Sequence, residues 1–161
     1  MHLHRTVGNT IHLAAVVDRS IVYVDKVEDT SGVRMYSRIG SAVRPYCSGV
    51  GKAILAELPA SDRDAILEGA VWERFTAKTV ASRVDLDAQL AKVSAQGWAA
   101  DDGEFEDFVN CIAVPIRGAA GVIGAVSITA IRMVANLSAL KSHLPLLQSV
   151  AREISAELGG D

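Results

Sequence analysis

Hydrophobic positions recur along this chain with two different periods, and the switches between them mark its elements. Residues 10–17 alternate, with Ile11, Leu13, Ala15 and Val17 on one side. Alternation is the signature of a strand, whose successive side chains point to opposite faces. After the turn Asp18-Arg19-Ser20 the run 21–27 continues as a second strand, which makes a hairpin. Residues 33–37 read as a third strand, ended by the stretch from Gly40 to Pro45. Val50, Ile54 and Leu58 then recur at helical spacing, and Pro59 stops that run. Ser61-Asp62-Arg63-Asp64 and Ser82-Arg83-Val84-Asp85 both fit the capping box, in which a hydroxyl and a carboxylate satisfy backbone donors at a helix start. Each predicts a helix, the first ending near Gly69 and the second near Gly97, and the second buries Leu86, Leu90 and Val93.

Residues 97–129 organise the rest. An acidic turn leads into a strand over 109–116, a Gly-rich connection at 118–121 and a strand over 122–129, two arms of an antiparallel hairpin. Ile112, Val114 and Ile116, with Val126 and Ile128, make one face continuously apolar. Cys111 and Ala113, with Ser127 and Thr129, leave the other face small and weakly polar, a floor on which a small ligand can sit. From Leu137 to Leu158 a three-four spacing of apolar residues predicts a terminal helix packed on the sheet, with Pro145 starting or kinking it. Fewer than four heptads are present, which favours a core stripe over a coiled-coil seam. The order of elements predicts an α+β domain, an antiparallel sheet with helices on one side and crossing its end.

At 161 residues the chain fits one domain, and half of it is hydrophobic, enough for a packed core. A net charge of -3, without a basic stripe, argues against this chain holding nucleic acid by itself. The apolar runs fall short of the roughly 18 residues a membrane span needs, and no secretory signal is read at the start. Cys47 and Cys111 form no disulfide framework, so the expected setting is cytoplasmic, with reduced thiols and no membrane partner. Residues 1–9 are polar without a clear period and read as the remnant of an interdomain linker, ahead of one domain over 10–161.

The loop Pro45-Tyr46-Cys47-Ser48-Gly49-Val50-Gly51-Lys52 feeds a helix, whose first N–H groups attract anions. It is not a phosphate-binding P-loop, because Tyr46 and Ala53 stand where that motif needs Gly and Ser or Thr. Asp101, Asp102, Glu104, Glu106 and Asp107 lack the ligand order of a calcium loop and read as solvated turn charges, so neither a metal nor a cofactor is expected. The histidines, at positions 2, 4, 12 and 143, come with no orienting partner that would make one a base for a cysteine nucleophile. No catalytic residue is therefore expected. The rival readings are a thiol enzyme of reductase type using Cys47 or Cys111, and an interaction module whose pocket has collapsed.

Six ordered stretches carry a more specific signal: V-Y-V-D-K-V-E at 22–28, R-M-Y-S-R-I-G at 34–40, C-S-G-V-G-K-A-I-L-A at 47–56, E-R-F-T at 73–76, G-W-A-A-D-D-G-E at 97–104 and C-I-A-V-P-I at 111–116. Together they resemble the effector-binding domain of the IclR family of bacterial transcriptional regulators. The resemblance implies a GAF-like α+β fold with a sheet of about six antiparallel strands flanked by helices. It also implies a small-molecule sensor that dimerises or tetramerises and meets DNA only through a winged helix-turn-helix domain absent from this chain. A small organic acid effector would lie between the loop before the first long helix and the central hairpin. Carried onto matching positions, its contacts would be Gly49, Val50, Asp101, Cys111, Ser127 and Thr129, with Met35 as a wall. The ionised Asp101 would accept from a ligand hydroxyl, hydrate or amine. The sequence departs from the family pattern at Phe108 and Asn110, where Gly and Arg are common, and at Gly103, where an acidic residue is. Phe108 is thus expected beside the pocket entrance.

Overall fold

A computed structural model describes residues 2–30 and 35–160 of the chain. The elements in order are α1 (His2–Val7), β1 (Thr10–Val17), β2 (Ser20–Val27), α2 (Gly49–Glu57), α3 (Ala60–Leu67), α4 (Arg83–Gln96), β3 (Ala99–Asp102), β4 (Val109–Gly118), β5 (Gly121–Ile131), α5 (Leu137–Lys141) and α6 (Leu144–Glu157). The strands form one antiparallel sheet in the order β2-β1-β5-β4-β3. Both expected hairpins are present, and the β4–β5 pairing sets Cys111 opposite Thr129 and Ala113 opposite Ser127.

Helices cover both faces of the sheet rather than one, because neither face is free to meet water. Ile112, Val114, Ile116, Val126 and Ile128 pack with Leu140, Leu147 and Ala151 of α5 and α6 and with Leu3 of α1. The other face offers Ala14, Ala99, Ala113 and Ala125 to a second cluster that includes Val50, Ala53, Ile54 and Leu55 of α2, backed by Leu86, Leu90 and Val93 of α4. Small side chains on this face let α2 come close to the sheet. Apolar burial on both sides supplies the main driving force for the fold, about 25 cal/mol per Å² removed from water.

Local signals decide where the helices begin and end. Ser82 caps α4 as expected, its hydroxyl accepting from the Asp85 N–H, and Gly97 ends that helix in the left-handed region at φ 80°. The matching box at Ser61 does not cap α3. That helix enters through Pro59, whose carbonyl accepts from the N–H groups of Asp62 and Arg63, so Ser61 lies inside the first turn. Pro145 stands in the first turn of α6, where its missing N–H costs nothing, and the C-terminal stripe is split there into α5 and α6. The expected acidic turn is partly a strand, since β3 pairs residues 99–102 with β4. Residues 2–7 of the expected linker segment are helical. Of the strand expected over 33–37, residues 33 and 34 lie outside the described residues, and 35–37 carry no strand.

Candidate functional site

The register of the sheet places chemistry in rows across one face. One row runs Asp101, Cys111, Thr129, Thr10 over β3, β4, β5 and β1, and the next runs Ala99, Ala113, Ser127, His12. Of these side chains Asp101, Cys111, Thr129, Ser127 and His12 floor a cavity of about 330 Å³, roofed by the start of α2 and the loop before it. Gly49, Val50, Asp101, Cys111, Ser127, Thr129 and Met35 all line it. The structure therefore brings together in one place every residue carried over as an effector contact. His12, Tyr23, Arg44 and Phe105 also line it, and none was expected there. Their placement depends on nonlocal contacts, such as the β1–β5 pairing that sets His12 beside Ser127 and Thr129, for which neighbouring residues give no signal.

Phe108 does not guard the entrance. It is half exposed and absent from the lining, while Phe105, three residues earlier, is the aromatic wall. Asn110 faces away from the cavity and donates from Nδ2 to the carbonyls of Ala130 and Ala135.

The roof is fixed by close packing. A Cβ on Gly49 would stand 2.7 Å from the Cys111 Sγ and 3.3 Å from the Ala113 Cβ, so only glycine lets the helix start touch the floor. Ser48 caps α2, its Oγ accepting from the Gly51 N–H at 3.1 Å and donating to the Arg44 carbonyl at 2.7 Å. The N–H groups of Gly49 and Val50 open the helix and have no carbonyl one turn back to bond, which leaves them available to an anion at the cavity.

One side wall is tied to the roof by a buried ion pair. The Lys52 Nζ on α2 lies 2.7 Å from the Glu104 Oε2, with both side chains almost fully enclosed. The Glu104 N–H donates to the Asp101 Oδ1 at 2.8 Å, and the Thr79 hydroxyl donates to the Glu104 carbonyl at 2.5 Å. Two of the acidic residues are therefore buried structural groups rather than solvated charges. Asp102 is held in ion pairs with Lys78 and Arg132, which keep its carboxyl below the usual range.

Burial dominates the titration of the cavity. It raises the Asp101 carboxyl to about 7, helped by the Glu104 charge and opposed by the Glu104 N–H and the Lys52 charge. Near neutral pH Asp101 can thus donate through its proton as well as accept, beyond the acceptor role expected of the ionised form. His12 is lowered to about 4 by burial and then by Lys26, so it is neutral; its Nδ1 lies 3.2 Å from the Thr129 Oγ1 and its Nε2 2.6 Å from the Ser37 Oγ. Burial pushes the Cys47 and Cys111 thiols up to about 12, with the Asp101 charge adding to it. A thiol held protonated at neutral pH is a poor nucleophile. Among the described residues no group of three or more acidic, His or Cys side chains is placed to hold a metal ion, and no helix is long and apolar enough to cross a membrane.

Comparison with known proteins agrees with this architecture. The family model for the bacterial transcriptional regulator IclR C-terminal domain matches residues 1–156. The chain is 37% identical over 158 residues to the HTH-type transcriptional regulator KdgR of Escherichia coli, covering 98% of this chain and 60% of that protein. It superimposes on the crystal structure of the Thermotoga maritima IclR with a TM-score of 0.90 at 30% identity, covering 98% of this chain and 64% of that one. An IclR homologue from Microbacterium hydrocarbonoxydans, solved with 4-hydroxybenzoate, shares the fold at a TM-score of 0.85 and 23% identity, over 98% of this chain and 63% of that one. The chain belongs to the IclR family of bacterial transcriptional regulators and corresponds to its C-terminal domain, with the expected α+β, GAF-like architecture. It spans about 60% of the length of the curated relative KdgR.

Proposed function

We propose that this chain is a non-enzymatic sensor that binds a small organic acid and controls DNA binding by a winged helix-turn-helix domain outside the sequence described. The observation that carries the reading is one cavity in which a helix start presents free N–H groups above a floor of Asp101, Cys111, Ser127 and Thr129. An acid would set its carboxylate on the Gly49 and Val50 N–H groups and its hydroxyl or keto end among Ser127, Thr129 and Asp101. The 4-hydroxybenzoate held by the Microbacterium relative is an acid of this kind. Binding would bias one arrangement of a cytoplasmic dimer or tetramer over another and so reset the spacing of its DNA-binding heads. The protonated, buried thiols speak against the reductase alternative.

The test is a thermal-shift screen of the chain against keto, hydroxy and aromatic carboxylic acids. A ligand at about 100 times its Kd adds about 2.7 kcal/mol to stability, which is a clear rise in Tm. The rise should vanish in Asp101→Ala and in Ser127→Ala. A folded native chain that responds to no acid, or tight sequence-specific DNA binding by these residues alone, overturns the proposal.

A further inference from the structure

Besides the backbone of α2, the cavity holds one feature suited to an anion. Arg44 lines it, and its Cζ sits 4.5 Å from the ring centre of Phe75 and 5.1 Å from that of Phe105. The two rings pack edge to face at 4.8 Å, and of the two only Phe105 lines the cavity, beside an Arg44 that is exposed to solvent and so stands at the mouth. The Ser48 hydroxyl holds the Arg44 carbonyl, tying this residue to the first turn of α2. Every other charged side chain that lines the cavity among the described residues, Asp101 and Glu106, carries a carboxyl group. Arg44 makes no ion pair among the described residues. A guanidinium seated over aromatic rings spends its flat face on them and keeps its N–H edge free for a two-point contact with a carboxylate.

From this geometry we infer that Arg44 is the specificity-determining residue of the cavity, closing on the carboxylate at the mouth alongside the Gly49 and Val50 N–H groups. The inference rests on the sensor reading above and narrows it. The preferred ligand is an ionised acid that enters with its hydroxyl- or keto-bearing end first, onto the floor, and leaves its carboxylate outermost. Without Arg44 the two acidic lining residues would oppose that charge.

The experiment pairs each of pyruvate, gluconate and 4-hydroxybenzoate with its uncharged primary amide and titrates them calorimetrically into the native chain, Arg44→Gln and Arg44→Lys at pH 8. For an acid bound by the native chain, Arg44→Gln should weaken affinity about tenfold or more, the worth of a charge-assisted contact, while leaving the amide within about threefold. Arg44→Lys should fall between, since it keeps the charge and loses the fork. Where an amide binds too weakly to titrate, the same comparison is read from sodium chloride dependence, steep for the acid on the native chain and shallow on Arg44→Gln. Acid binding that is unchanged in Arg44→Gln, or that falls equally with amide binding, overturns the role of Arg44 and leaves the sensor reading standing. Failure of the native chain to bind any of the acids overturns the sensor reading, and this inference with it.

Discussion

Asp101 and His12 lie on adjacent rows of the same floor and make opposite demands on pH. The folded chain raises the Asp101 carboxyl to about 7 from an ordinary 3.8, so between those values the native state holds a proton that the unfolded chain has released. Its contribution therefore falls as pH rises from about 4 to 7. His12, lowered to about 4 from 6.5, works the other way: the unfolded chain takes up the proton first, and stability is lost as pH falls from 6.5 towards 4. The two trends oppose each other across most of the window, so Asp101 is visible only by difference. Asp101→Asn keeps an oxygen for the Glu104 N–H and removes the titration. Its Tm should rise relative to the native chain as pH increases from 4 to 7 and hold that lead above 7. A difference in Tm that is flat with pH would show that burial does not raise this carboxyl. Cys111, Ser127 and Thr129 are legible as one face because the hairpin alternation and the family resemblance agree on them, and Asp101 is legible from the resemblance alone. The places of His12, Arg44 and Phe105 in the cavity are not legible, since they come from residues far apart in the chain that only the sheet and the loops bring together.

Elements were legible where one local device fixes each end, and illegible where two devices compete. Ser82 and Gly97 bound α4 from its own sequence, whereas the equally good box at Ser61 yields to Pro59, which sets the chain direction two residues earlier. Ser82→Ala should accordingly cost about 1 kcal/mol in urea unfolding, and Ser61→Ala less than about 0.5. Equal costs would mean that the hydroxyl of Ser61 caps α3 after all. The contact of α2 with the sheet gives a sharper case. Gly49→Ala introduces a Cβ 2.7 Å from the Cys111 Sγ and should destabilise by about 1–3 kcal/mol, as overpacking does. Adding Cys111→Ala removes the sulfur and should recover part of the loss, leaving the 3.3 Å contact with the Ala113 Cβ as the tight one. Additive costs across this double-mutant cycle would separate the two positions. From the alternation, the small residues on this sheet face read as a ligand floor. They serve equally to seat the helix, a second use that alternation alone does not disclose.

At the scale of the molecule, the cavity depends on α2 and the segment 101–107 being held at a fixed separation, and the buried Lys52–Glu104 pair links them. The sequence shows Lys52 only as the end of the loop that fails the P-loop pattern and Glu104 only among the acidic turn residues, because their 52-residue separation hides the contact. Two charges buried together gain little over an apolar pair of the same volume, but one left alone is expensive. Lys52→Met strands the Glu104 carboxylate and should cost about 3–5 kcal/mol, a large share of the about 5–15 that such a domain has. Adding Glu104→Gln removes the stranded charge and keeps an acceptor for the Asp102 N–H, so most of that loss should return. The contribution should also survive high salt, since the pair is shielded from solvent ions. Urea midpoints of the native chain, the single variant and the double variant, each at low and high sodium chloride, measure this directly. If the single variant unfolds near the native midpoint, the pair is not what sets the roof against the wall. Recovery of stability in the double variant without recovery of acid binding would show instead that the charges also position the ligand, through the Asp101 carboxyl that the Glu104 N–H holds.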